Sequence, residues 1–132
     1  MVSVAIFDYG AGNIFSLKNS LEQAGASVDV ITSFDKPNVY SGLLLPGVGN
    51  FDPAIKSINE NSKTKFQDFV KTGTPVLGIC LGMEMFFEKS EEGIEKGFNV
   101  IDGEIVVLPS TVKVPHMGWN NLEIKRPGVI LE

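Results

Sequence analysis

The chain has one cysteine, Cys80, with a glycine two residues before it and another two residues after. No other feature constrains the fold as tightly. Residues 75–79 (Pro-Val-Leu-Gly-Ile) predict a buried parallel strand. Leu81-Gly82-Met83-Glu84-Met85-Phe86-Phe87 predicts the helix that follows, running to about Lys89, with Cys80 at the bend. The pattern Gly78-x-Cys80-x-Gly82 is that of a nucleophile elbow with cysteine in the serine's place. A strand turning sharply into a helix brings its flanks so close that the positions on either side must be nearly free of side chain. The nucleophile is then held exposed at the sheet edge above a helix N-terminus, where unpaired amides and the helix dipole favour a thiolate. The plainer reading is a small buried cysteine between incidental glycines.

The rest of the composition sets bounds. At 132 residues the chain predicts a single domain, 1–132, large enough for a real core. A hydrophobic share of 43% with 20% charged residues suits a globular fold rather than disorder. No apolar run is long enough to span a membrane, and the N-terminus reads as a first strand rather than a signal peptide. A lone cysteine rules out an internal disulfide framework and fits a reducing cytosol. With one cysteine and one histidine a zinc site is not expected. A net charge of −5 without a basic stripe argues against nucleic acid as a partner.

Strands and helices alternate along the first two thirds. Residues 2–7 form an apolar run. Residues 13–24 carry Ile14, Leu17 and Leu21 at helical spacing, with Gly25 as the stop. Residues 28–31 and 42–45 predict strands. Phe51, Ile55 and Ile58 mark a helix starting near Asn50, with Pro53 in its first turn. Phe66, Phe69 and Val70 mark another, ended by Gly73. Beyond Lys89 the character changes, and residues 98–101, 104–108, 121–125 and 129–131 read as β-like with turns between them. The fold class is therefore α/β: a parallel sheet flanked by helices on both faces, with a β-rich C-terminal part.

In such sheets ligands bind at the carboxyl ends of the strands. Three glycine-containing loops fall there: residues 8–13, 46–50 and 78–82. Attack by Cys80 on a carbonyl creates an oxyanion that needs two amide donors. One is predicted to be the N–H of Leu81, directly after the nucleophile. The second must come from a neighbouring loop whose peptides orient freely. In Pro46-Gly47-Val48-Gly49-Asn50 the N–H of Val48, between two glycines, is the candidate. The competing reading of that loop is a tight turn into the next helix.

These residues carry a resemblance. Leu77-Gly78-Ile79-Cys80-Leu81-Gly82-Met83 resembles the nucleophile motif of class I (triad) glutamine amidotransferases, which have a flavodoxin-like fold. Residues 8–13 (Asp-Tyr-Gly-Ala-Gly-Asn), 45–51 (Leu-Pro-Gly-Val-Gly-Asn-Phe) and 115–120 (Pro-His-Met-Gly-Trp-Asn) are similar to the branch that serves as glutaminase subunit of imidazole glycerol phosphate synthase. The likeness runs from Val4 to about Pro127. It implies glutamine hydrolysis to glutamate and ammonia through a cysteine thioester, without a cofactor. The ammonia would pass to a (β/α)₈-barrel cyclase partner in histidine biosynthesis, in the cytoplasm. It further implies that Gly47, Gly49 and Glu84 line the substrate, and that Asn13, His116, Met117 and Trp119 face the partner.

Two departures qualify the resemblance. Family members continue beyond the region of Lys125-Arg126-Pro127 into strands bearing the histidine and glutamate of the triad. His116 is the one histidine here, so the 132 residues are expected to be catalytically incomplete, and the fold incomplete at its C-terminus. The family usually has glutamine four residues after the cysteine; here Glu84 occupies that position. An ionised carboxylate only accepts hydrogen bonds, whereas an amide also donates. Two further readings stand beside the enzyme: a non-catalytic partner-binding or self-associating module on the same scaffold, and a cysteine hydrolase or redox protein pairing Cys80 with His116.

Overall fold

A computed structural model describes residues 1–35 and 39–130. The element order is β1 (Ser3–Phe7), α1 (Ile14–Gln23), β2 (Ser27–Ile31), β3 (Gly42–Leu45), α2 (Phe51–Ser57), α3 (Glu60–Lys71), β4 (Val76–Gly78), α4 (Leu81–Glu84), β5 (Lys89–Ser90) and β6 (Glu104–Ile105). The first four strands form one parallel sheet in the order β2-β1-β3-β4. Val4 pairs with both Val28 and Gly42, and Leu44 pairs with Leu77.

Strand alternation sends successive side chains to opposite faces, and here both faces are covered. Ile6, Val28 and Leu44 point to one side, where Ile14, Leu17 and Leu21 of α1 pack on them. Ala5, Phe7, Leu43 and Leu45 point to the other, into the main core with Phe51, Ile55, Phe66, Phe69, Met85 and Phe98. Aromatic rings fill that layer: Phe7 and Phe34 stand 4.3 Å apart between centroids, and Phe66 and Phe98 4.2 Å apart. Local signals set the helix starts. Asn13 Oδ1 accepts from the Ser16 N–H at 3.0 Å, and Asn59 Oδ1 accepts from the Ser62 N–H at 2.8 Å, each satisfying a first-turn donor.

Three expectations are corrected. The strand at 75–79 is not buried. β4 is the outer strand of the sheet, with Leu77 45% and Ile79 39% exposed. The helix after Cys80 stops at Glu84 rather than near Lys89. Tertiary contacts account for the stop. The carbonyls of Met85, Phe86 and Phe87 accept from the amides of Phe98, Val100 and Asn99, and that of Glu88 accepts from Gly97. Backbone acceptors engaged this way cannot extend a helical ladder.

The third correction concerns the β-rich C-terminal part. Only Glu104–Ile105 forms a strand, and it pairs in parallel with Lys89–Ser90. Phe98 is buried in the core instead of lying in a strand. Residues 106–130 contain no helix or strand and are exposed throughout. A strand exists only when a neighbour takes its backbone groups, and no neighbour for residues 121–125 or 129–130 lies among the described residues. Leu131, at the end of the last predicted β segment, lies outside the described residues.

Candidate active site

Cys80 follows the sheet edge with φ 54° and ψ −119°, one of two non-glycine residues at positive φ among those described, and its side chain is exposed. An L-residue persists in such a conformation only when its surroundings over-determine it. The two flanking glycines supply that constraint. A Cβ at Gly78 would stand 2.6 Å from the Met83 Cα and 2.7 Å from the Phe86 ring. A Cβ at Gly82 would overlap the carbonyl oxygen of Leu45 in β3. The start of α4 is thus wedged against the end of the neighbouring strand, and the Ile79 N–H donates to that same Leu45 carbonyl at 3.0 Å.

The predicted oxyanion loop lies against this corner. Gly47 has no room for a side chain: a Cβ there would meet the Tyr9 hydroxyl, stand 2.8 Å from the Gly82 nitrogen, and 2.9 Å from the Leu81 Cβ. The next residue, Val48, is 66% exposed, and Gly49 takes φ +109° with open space around it. Among the described residues, neither the Val48 nor the Leu81 N–H enters a backbone hydrogen bond. One of these amides opens α4 directly after the exposed Cys80, and the other follows Gly47, which packs against Leu81 and Gly82. Because α4 spans only four residues, the amides at its start, rather than a long helix dipole, form the electropositive surface near the sulfur.

Glu84 lies one turn beyond Cys80 and is partly buried. Its Oε2 is enclosed and has no hydrogen-bond partner among the described residues. Burial, and secondarily the nearby Glu92 carboxylate, push the Glu84 carboxyl above the usual range. The turn that follows Glu92 is held by Asp52 in the first turn of α2, whose carboxylate accepts from the Ile94 and Glu95 amides at 3.0 Å each. Those donors, Glu95 first, hold the Asp52 carboxyl below its usual range.

Of the other predicted residues, Asn13 lines one cavity with Gly47, Val48 and Ile79, whereas His116, Met117 and Trp119 are not gathered here. Asn13 caps α1 through its own side chain. Met117 is 85% and Trp119 104% exposed, so neither packs on the described fold, and His116 lies exposed in the same segment. No group of three or more His, Cys, Asp or Glu among the described residues is placed to hold a metal ion. No described helix is long and apolar enough to cross a membrane. Sequence reasoning missed Tyr9 and Glu92. Tyr9 was hidden in a loop whose glycines are ordinary at strand-to-helix turns, and no local spacing ties Glu92 to Cys80.

Comparison with known proteins places this geometry. A model of the glutamine amidotransferase class-I family matches residues 5–128. Imidazole glycerol phosphate synthase subunit HisH of Halalkalibacterium halodurans is 42% identical, the match covering 94% of this chain and 62% of that protein. The HisH subunits of Geobacillus kaustophilus (42% identical; 97% and 64% covered) and Cyanophora paradoxa (36%; 96% and 60%) are similar to it in the same way. The chain thus spans about three fifths of the length of these curated relatives. Among solved structures, a protein from Thermoplasma acidophilum described as a GMP synthase subunit shares the fold. Its TM-score is 0.51 at 20% identity, over 62% of this chain and 41% of that one.

Proposed function

The chain belongs to the class I glutamine amidotransferase family, and from that premise we propose that it carries the nucleophile and oxyanion site of a glutaminase. The exposed Cys80 at a left-handed corner, fixed by Gly78 and Gly82, is the observation that supports this reading most directly. In the proposed reaction the Cys80 thiolate adds to the side-chain carboxamide carbon of glutamine. The carbonyl oxygen takes the negative charge and is held by the N–H groups of Leu81 and Val48. Collapse expels the amine with a proton as ammonia and leaves a γ-glutamyl thioester, which water cleaves to glutamate and the free thiol. Gly47 meets the substrate through its backbone alone, Gly49 leaves open space beside it, and Glu84 offers a carboxyl group near its polar end.

The relatives' name directs the ammonia to a synthase that makes imidazole glycerol phosphate, and hence to histidine biosynthesis. On this reading the partner is the (β/α)₈-barrel cyclase, approached through Asn13 and the exposed His116, Met117 and Trp119. The lone cysteine fits a cytoplasmic setting. The 132 residues act as a single glutamine amidotransferase-like domain.

A general base is needed both to form the thiolate and to activate the water. His116 lies in an exposed segment away from the packed core, so a polypeptide of these 132 residues is proposed to release ammonia from glutamine negligibly. 6-Diazo-5-oxo-L-norleucine, a glutamine-shaped diazoketone, tests the site: it should alkylate Cys80 far faster than it alkylates free cysteine, and glutamine should protect. Absence of that selectivity would overturn the glutaminase reading. Ammonia release that disappears in Cys80→Ala would overturn the proposed incompleteness.

The open outer side of β4 favours a second reading, self-association through that edge. Leu77 on this strand and Ile79 just past it are exposed, and the strand has no partner on its far side among the described residues.

A further inference from the structure

We propose that Tyr9 is a positioning residue for the oxyanion site, fixing through its hydroxyl the Pro46–Gly47 peptide, one residue ahead of Val48. The proposal rests on the glutaminase reading and goes beyond it by assigning a task to a residue outside the elbow and the glycine loop.

Tyr9 lies just past β1, where the chain leaves the sheet, and is only 8% exposed. Its hydroxyl donates to the Pro46 carbonyl at 2.7 Å. The Pro46 carbonyl and the Gly47 N–H share one rigid peptide plane, so holding the oxygen sets the direction in which the chain enters Gly47 and Val48. A constraint of this kind is needed because the glycines flanking Val48 impose none of their own. Tyr9 is itself anchored from behind. Its backbone carbonyl accepts from the Ser57 hydroxyl at 3.0 Å, at the end of α2, and its ring neighbours Phe7 at 5.9 Å between centroids.

The same hydroxyl closes one side of the space at Gly47. The space a Gly47 side chain would need is taken by the Tyr9 oxygen on one side and by Leu81 and Gly82 on the other. Gly12, from the same loop as Tyr9, backs Pro46, its absent Cβ falling 3.2 Å from the Pro46 Cβ. The first loop therefore braces the second against the elbow. Burial, and then Cys80 nearby, push the Tyr9 phenol up to about 12, so it stays a donor at any pH where the enzyme would operate. Without the hydroxyl the Pro46 carbonyl would be left unpaired in a buried place, and its peptide would be free to turn.

The test separates oxyanion binding from thiol reactivity. 5-Oxopentanoate carries the carbon skeleton of glutamine without its α-amino group, with an aldehyde in place of the amide. The Cys80 thiolate adds to its carbonyl carbon, the oxygen takes the charge and then a proton, and the thiohemiacetal blocks alkylation reversibly. Iodoacetamide alkylates the same sulfur by displacing iodide and forms no oxyanion. In Tyr9→Phe, protection of Cys80 by the aldehyde should weaken about 10–100-fold, approaching the loss seen when one oxyanion donor is removed. The iodoacetamide rate should stay within about twofold, and the far-UV circular dichroism should be unchanged.

Equal protection in the variant and the parent would overturn the proposal. A parallel fall in iodoacetamide reactivity or in folded signal would also overturn it, by assigning Tyr9 to holding the fold. If the parent chain alkylates normally with iodoacetamide yet shows no protection by the aldehyde, the glutaminase reading itself fails.

Discussion

Gly82 sits so close to the Leu45 carbonyl oxygen that a side chain of even one carbon would occupy the oxygen's place. Because that oxygen also accepts from the Ile79 N–H, it cannot retreat without breaking the continuation of the sheet beyond β4. Gly82→Ala is therefore expected to destabilise the fold by about 3 kcal/mol or more, at the upper end of overpacking costs. Urea unfolding followed by circular dichroism measures it. A loss under about 1 kcal/mol, the low end of that range, would mean that the strand–helix corner is looser than this contact implies.

Glu84 gives a pH-dependent prediction. Its carboxyl is raised by burial and by Glu92, so the neutral form suits the folded state and the charged form opposes it. The favourable contribution is complete below the unfolded carboxylate value and is lost as pH rises through the raised folded value. Glu84→Gln should therefore unfold at a temperature roughly 2–4 °C above the parent at about pH 8 and close to it at about pH 4. Differential scanning calorimetry at the two pH values checks this, and an equal shift at both would contradict it.

Asp52 behaves in the opposite sense. The amides of Glu95 and Ile94 depress its carboxyl, so its contribution is present above the ordinary aspartate value and fades as pH falls through the depressed one. Asp52→Asn should lower the unfolding temperature near neutral pH, and its gap to the parent should close as the medium is acidified below about pH 4. A gap that persists in acid strong enough to protonate the carboxyl in the folded state would show that the residue acts by packing rather than by charge.

The outer edge of β4 yields a prediction about association. Leu77 is 45% exposed on a strand with no partner on its far side among the described residues. Sedimentation velocity across a concentration series should show reversible association, and Leu77→Lys should weaken it, as a charge on an open edge blocks strand addition. A parent chain that stays monomeric throughout the series would rule out this reading.

Much of the fold could be read from local pattern, where residues contact their own sequence neighbours or repeat with a helix or strand period. Ile14, Leu17 and Leu21 gave the first helix, and Leu43-Leu44-Leu45 the central strand. Pro53 and Asn50 located the start of α2. The elbow was legible for a steric reason: only glycine fits at positions 78 and 82 of so sharp a turn. The β-like reading of residues 98–101 and 121–125 failed because β propensity describes a surface awaiting a partner, and the partner is a property of the whole chain rather than of the segment.

From sequence alone came the chemistry on offer: a single thiol, two glycines to thrust it outward, and a valine between glycines to supply an amide. Tertiary structure decided what those groups meet. It ended α4 at Glu84 by giving the next carbonyls to Gly97, Phe98, Asn99 and Val100, brought Glu92 beside Glu84, and set the Tyr9 hydroxyl on the Pro46 carbonyl 37 positions away. Spacing along a chain constrains only neighbours a few residues apart. Contacts across the sheet are fixed by strand order and register, which no local window contains.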